Sequence, residues 1–178
     1  LLFFLFGVLV TLGMCGMAAC SDFKGFRIPN IVSVVIIGAY AISFAVLSLL
    51  DKREVLLHPL MNHIGAMLLV LMVTGFLFAI KQLGAGDSKF ASAIGLWLGF
   101  QGLIPFLFYM ALCGGVIGVI SLILKKKKPF KNLAVGSWPA KAQEGFPSVP
   151  YGIAIAVGAV AGFIFNGYLS PSHWQGLF

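Results

Sequence analysis

The sequence reads as an all-α, polytopic membrane protein of about six transmembrane helices with both termini outside. Three observations carry that reading. Of 178 residues, 60% are hydrophobic and only 10% charged, against roughly 45–50% and about 25% in a soluble domain. Twelve Lys and Arg with five Asp and Glu cannot clothe the surface of a soluble protein this size. Apolar runs near the length needed to cross the hydrocarbon core, about 20 residues, recur along the chain. The basic residues fall between those runs, where the positive-inside rule places them. The net charge of +7 is therefore topological, and no nucleic-acid partner is expected. A soluble enzyme, a disordered chain and a coiled coil are excluded on the same composition.

Leu1 to Cys20 is the first apolar run. It has no basic leader and no initiator Met, so the chain is expected to be trimmed at its start. Met17-Ala18-Ala19-Cys20 faintly resembles a lipoprotein cleavage box, but the missing n-region and the many later spans speak against one. Ile31 to Leu50 is the second run and Leu60 to Ile80 the third. Phe90 to Leu124 is too long for one span; Gln101-Gly102 and Pro105 suggest a break, giving a short fourth helix and a fifth ending before Lys125. Pro150 to Leu169 is the sixth, with Pro150 suited to its first turn.

Six spans leave five loops. The first (Ser21 to Asn30) carries Lys24 and Arg27, the third Lys81 and Lys89. The fifth is a basic, Pro-containing stretch over 125–149 with Lys125, Lys126, Lys127, Lys128, Lys131 and Lys141. The second holds Lys52 and Arg53, offset by Asp51 and Glu54, and the fourth holds no basic residue. This asymmetry puts the odd loops in the cytoplasm. Residues 1–178 then form one transmembrane domain in contact with the lipid bilayer. Gly95 and Gly99, Gly114 and Gly118, and Gly158 and Gly162 recur at the spacing that lets helices pack closely in lipid. Cys15, Cys20 and Cys113 are expected to pack as small apolar residues. Trp138 and Trp174 are expected at the interface, and His58, His63 and His173 on or near the outer side.

The informative residues are acidic. Asp51 and Glu54 sit beside basic neighbours in an outer loop, and Glu144 lies in the fifth loop. Asp22 and Asp87 remain, both at the membrane boundary on the cytoplasmic side, where an acidic group is costly unless paired or hydrated. Each alone is compatible with a helix cap or an interfacial charge. Asp22 opens Ser21-Asp22-Phe23-Lys24-Gly25-Phe26-Arg27-Ile28-Pro29-Asn30, and Asp87 closes Gly84-Ala85-Gly86-Asp87 before Ser88-Lys89.

An Asp followed by Arg-Ile-Pro-Asn, then Gly-x-Gly-Asp-x-Lys at the next cytoplasmic loop, resembles the prepilin peptidases, membrane aspartyl proteases of the GxGD type. Pro150-Tyr151-Gly152 resembles the start of that family's final span. The small size and the lack of a cysteine-bearing cytoplasmic insert look most like the forms found in tight-adherence (Flp) pilus systems. The resemblance implies Asp22 and Asp87 as the catalytic pair, Gly84 and Gly86 as the motif glycines and Lys89 as its closing lysine. It implies an endopeptidase of the bacterial inner membrane, its site facing the cytoplasm, that removes the leader of a prepilin or pseudopilin in type IV pilus assembly or protein secretion. Lys24, Arg27 and Lys89 are candidates to meet acidic substrate groups; for Lys24 and Arg27 the plainer alternative is a positive-inside anchor.

Two carboxyls that hydrolyse a peptide need one proton between them, since close like charges do not both ionise easily. Asp22 follows the C-terminal end of the first helix and Asp87 precedes an N-terminal end, so the resting proton is expected on Asp22. No metal or other cofactor is expected: the chain contains no C-x-x-C, and a zinc site needs about four convergent ligands. A small proton-coupled transporter would instead hold its acids near mid-membrane. A non-enzymatic assembly scaffold would tolerate loss of either Asp. The ten-to-two basic asymmetry makes one direct prediction. A cysteine at Lys89 should react with membrane-impermeant maleimide only from the cytoplasmic face, and one at His58 only from outside; labelling of position 89 from outside breaks the topology.

Overall fold

In lipid the backbone has no water to bond, so an apolar run must satisfy its own N–H and C=O groups, which a helix does. The computed structural model describes residues 2–130, 133–146 and 149–170, with Lys131, His173 and Trp174 outside them. It is helical throughout its regular structure: α1 (Leu2–Gly25), α2 (Asn30–Leu49), the single turn α3 (Arg53–Leu56), α4 (Leu60–Ala79), α5 (Ala85–Lys127), α6 (Trp138–Glu144) and α7 (Tyr151–Phe165). The helices α1, α2, α4 and α5 are long and apolar enough to cross a membrane, and α7 is a shorter apolar helix. Pro29, Pro59 and Pro150 stand immediately before α2, α4 and α7. Pro150 is therefore the residue flanking its helix rather than part of the first turn. Large apolar side chains such as Ile104 (79% exposed) and Phe108 (61%) face outward, as a multi-pass membrane protein requires.

The 43 residues of α5 are two helices joined at Gly99, whose φ of 59° and ψ of −175° are not helical. The chain reverses there. Ala91 and Met110 line one cavity, whereas unbroken helix would hold them roughly 28 Å apart at 1.5 Å per residue. The break falls two residues earlier than Gln101-Gly102, and Pro105 stays inside the second arm. Reversal frees backbone groups, and four side chains from the neighbouring helix ends take them up. His63 Nδ1 donates to Leu96 O (2.9 Å), Tyr168 to Trp97 O (3.2 Å) and Asn166 Nδ2 to Leu98 O (2.8 Å), while Phe100 N donates to Asn62 Oδ1 (3.1 Å).

The first arm of α5 is the centre of the molecule, buried continuously from Phe90 to Gly99. Around it pack α2, α4, the second arm and α7. Trp97 anchors this centre, with its ring beside Phe4, Tyr40 and Phe163 and its Nε1 donating to Ile36 O (3.0 Å). The glycine pairs act unequally. A Cβ on Gly158 or Gly162 would overlap Phe106 O or the Leu98 side chain, both at 2.6 Å, so these two bring α7 against α5. Gly118 has open space around it. Of the cysteines Cys15 is buried, but Cys20 is exposed and does not pack as expected.

Two further expectations are corrected. The first helix continues past Cys20 to Gly25, which places Asp22 inside its last turn. Stretch 125–149 is not all loop: α5 runs to Lys127, and α6 folds back onto it. Trp138 is only 8% exposed, its Nε1 donating to Ser121 Oγ (3.0 Å) and its ring edge-on to Phe23.

The backbone at Gly99 lies in a region nearly restricted to glycine, where another residue costs about 1–3 kcal/mol. A Cβ there would also collide with Asn62 Oδ1. Gly99→Ala should lower the unfolding temperature in detergent by roughly 4–8 °C, measured by differential scanning fluorimetry; an unchanged temperature contradicts the reversal.

Candidate active site

The end of the bundle opposite Gly99 gathers the last turn of α1 and the first turns of α5 and α7. Each helix start there has N–H groups without intrahelical partners. Pro150 supplies no side-chain cap to α7, and Asp22 does so from 130 residues away. Its Oδ2 accepts a 2.7 Å hydrogen bond from Gly152 N. Asp22 is only 4% exposed, and this charge-assisted bond beside the positive end of α7 offsets part of the cost of burying a carboxylate. The approach is so close that a Cβ on Gly152 would lie 2.9 Å from Asp22 Cβ.

Asp87 is the third residue of α5, not its N-cap, which is Gly84. Its Oδ2 reaches back to accept from Gly84 N (3.2 Å). Gly84 has no side chain to complete the reciprocal half of a capping box. Asp87 Oδ1 is buried and has no hydrogen-bond partner among the described residues. Ser88 turns the other way and shares a 2.8 Å hydrogen bond with Thr74 of α4, tying the start of α5 to its neighbour.

The segment between α1 and α2 closes the site. Phe26 takes a left-handed φ of 55°, its N donates to Asp22 O (2.9 Å), and Ser21 Oγ donates to Arg27 O (2.6 Å). This turn lays Ile28 between the two helix starts. A Cβ on Gly86 would be 3.2 Å from both Ile28 Cβ and Ile28 O, and one on Gly152 3.0 Å from Ile28 Cδ1. A cavity of about 480 Å³ results, lined by Asp22, Arg27, Gly84, Gly86 and Asp87 among others. The two carboxyls are close enough for the charge of one to act on the other. Lys89 Nζ donates to Asn30 Oδ1 (3.0 Å) and does not line the cavity. Lys24 is exposed and also lies outside it.

The model of the type IV leader peptidase family matches residues 9–119. The chain belongs to that family. A prepilin leader peptidase/N-methyltransferase of Pectobacterium carotovorum subsp. carotovorum is 34% identical over 106 residues, 58% of this chain and 32% of that relative. The chain thus matches about a third of the length of this curated relative. No solved structure matches it significantly. The part shared with the leader peptidase family contains Asp22, Asp87 and both glycines of the motif, and ends before α7. Gly152, the donor to Asp22, lies beyond it.

Gly152, Ile28 and Asn30 stand within quoted motifs, yet nothing local assigns them a contact; their parts follow from tertiary approach. The expected resting proton on Asp22 loses its basis as well. The Asp22 carboxylate meets the N-terminus of α7 as well as the end of its own helix, and a backbone N–H there already points at it. Among the described residues no group of three His, Cys, Asp or Glu side chains is gathered.

The 3.2 Å between Ile28 Cβ and a Cβ built at Gly86 is a little under the usual disulfide spacing of about 3.5–4.5 Å. With Cys15, Cys20 and Cys113 replaced by Ala, the pair Ile28→Cys/Gly86→Cys should oxidise readily to a gel-shifted species. Ile28→Cys/Gly75→Cys should not. Equal reactivity of the two pairs contradicts the packing of this loop.

Proposed function

We propose that this protein is a membrane-embedded aspartyl endopeptidase that removes the leader of prepilins or pseudopilins at the cytoplasmic boundary of the bacterial inner membrane. The observation that carries the reading is the pair Asp22 and Asp87 lining one cavity where three helix ends converge. Family membership and the printed name of the Pectobacterium relative support the substrate class. The carboxyls stand at helix ends rather than halfway along spans, which fits a cut just before a hydrophobic segment and not a transmembrane proton relay.

The hydrogen bonds favour a division of labour. Asp22, with Gly152 N–H donating to it, is the carboxylate; it takes a proton from water as the water oxygen attacks the scissile carbonyl carbon. Asp87 Oδ1, which no protein donor occupies among the described residues, carries the shared proton and gives it to the carbonyl oxygen. In the tetrahedral intermediate Asp22 returns its proton to the departing amine nitrogen. Asp87 recovers one from the hydroxyl as the C–N bond breaks, so the pair ends as it began. Arg27, at the cavity wall, is placed to meet an acidic group of the substrate. Lys89 acts on Asn30 instead, and Lys24 is a cytoplasmic anchor.

Leader removal from a co-expressed prepilin should fall by at least a thousandfold in Asp22→Asn and in Asp87→Asn, with insertion unchanged. Gly152→Ala, which keeps both carboxyls but pushes on Asp22, should lose roughly ten- to a hundredfold, the scale of a small misplacement of a reacting group. Near-normal processing by either Asn variant overturns the proposal in favour of an assembly scaffold.

A further inference from the structure

Helices α2 and α4 both pack on the first arm of α5, but their backbones do not pack on each other. They meet through side chains where the middle of α2 passes the first turn of α4: the rings of Tyr40 and His63 lie 5.2 Å apart and both residues are buried. Toward the cytoplasmic end the helices leave a cleft of about 430 Å³, within the size range of small binding sites, roughly 300–1,000 Å³. Val34 and Ile37 of α2 form one wall and Leu71 of α4 the other. The floor includes Ala93 and Ser92, whose hydroxyl is already donated to Ser88 O (2.7 Å). Asn30 and Lys89, joined by their hydrogen bond, form the mouth. Asn30 also lines the cavity of the carboxyl pair, so the cleft and the cavity share a wall.

We propose that this cleft receives the first two turns of the substrate's hydrophobic segment, directly after the scissile bond. The inference rests on the peptidase reading above. A chain lying across Asp22 and Asp87 and passing Asn30 enters the cleft at its polar mouth and then meets walls that are apolar apart from Ser33 and Ser92. From Asn30 to Ile37 the cleft runs about 10 Å along α2, two helical turns. An occupant at that depth must satisfy its own backbone groups, so it enters as a helix. Because α2 and α4 stand apart, it arrives sideways from the bilayer with its apolar face never exposed to water. The α1/α2 groove, lined by Phe6, Gly38 and Ile42, is equally apolar but shares no residue with the carboxyl cavity, and so provides a control.

The test uses the full chain in phospholipid vesicles with a reconstituted prepilin. Ile37→Trp should lower kcat/KM at least tenfold, mainly through KM, whereas Ile42→Trp in the other groove should stay within twofold. In an Asp87→Asn background, a photoreactive residue at Val34 should cross-link to the first two turns of the prepilin's apolar segment. The proposal is overturned if Ile37→Trp matches Ile42→Trp, or if position 34 labels only lipid. Failure of the peptidase reading is distinguishable: the unmodified protein would then leave the prepilin uncut, and the cross-link would still report whether the cleft holds it.

Discussion

A backbone that turns back inside a membrane must find partners for the groups it frees, because lipid offers none. At Gly99 this protein meets that constraint with Asn62 and His63 from the start of α4 and Asn166 and Tyr168 from beyond α7. The rest of the architecture depends on the reversal. It divides one long apolar stretch into two antiparallel arms and sends the second arm back toward the end where α5 began. The following chain can then fold α6 onto the second arm and start α7 beside Asp22. The four bonds that hold the turn also attach α4 and the segment after α7 to the central arm, so the Gly99 end of the bundle is fixed by the same contacts that allow the break.

With the Gly99 end fixed, the opposite end gathers charge at little cost. Helix starts present unpaired N–H groups, and two of them are met by Asp carboxyl groups: Gly152 by Asp22 and Gly84 by Asp87. Glycine at 86 and 152 lets backbones approach within reach of Ile28 and Asp22. A carboxyl pair near a membrane is thereby given hydrogen bonds on one side and an open cavity on the other. That combination, more than either Asp alone, is what peptide hydrolysis by a shared proton requires.

Much of this was legible in the sequence, for physical reasons. Apolar run length registers spans directly, since the bilayer sets that length. The excess length of the Phe90 to Leu124 run required a break, and the scarcity of acidic residues isolated Asp22 and Asp87. The position of the break was not legible, because Gly99 looks like any packing glycine until Asn62 is brought beside it. Trp138 reads as an interfacial residue by type alone, and its contacts with Ser121 and Phe23 were not legible because only the return of α6 creates them. The protonation assignment lost its basis for a related reason. It weighed the helix that carries Asp22 and had no means of knowing that the first turn of α7 would donate to its carboxylate.

The central claim is that Asp22 and Asp87 work as one unit in one cavity. Groups that act together lose their effect together, so their losses do not multiply. The direct measurement is single-turnover leader cleavage by Asp22→Asn, Asp87→Asn and the double variant, followed to residual rates on the order of a thousandth of the unmodified protein or below. The account predicts that the double variant is no slower than either single one. Losses that multiply in the double variant would contradict it.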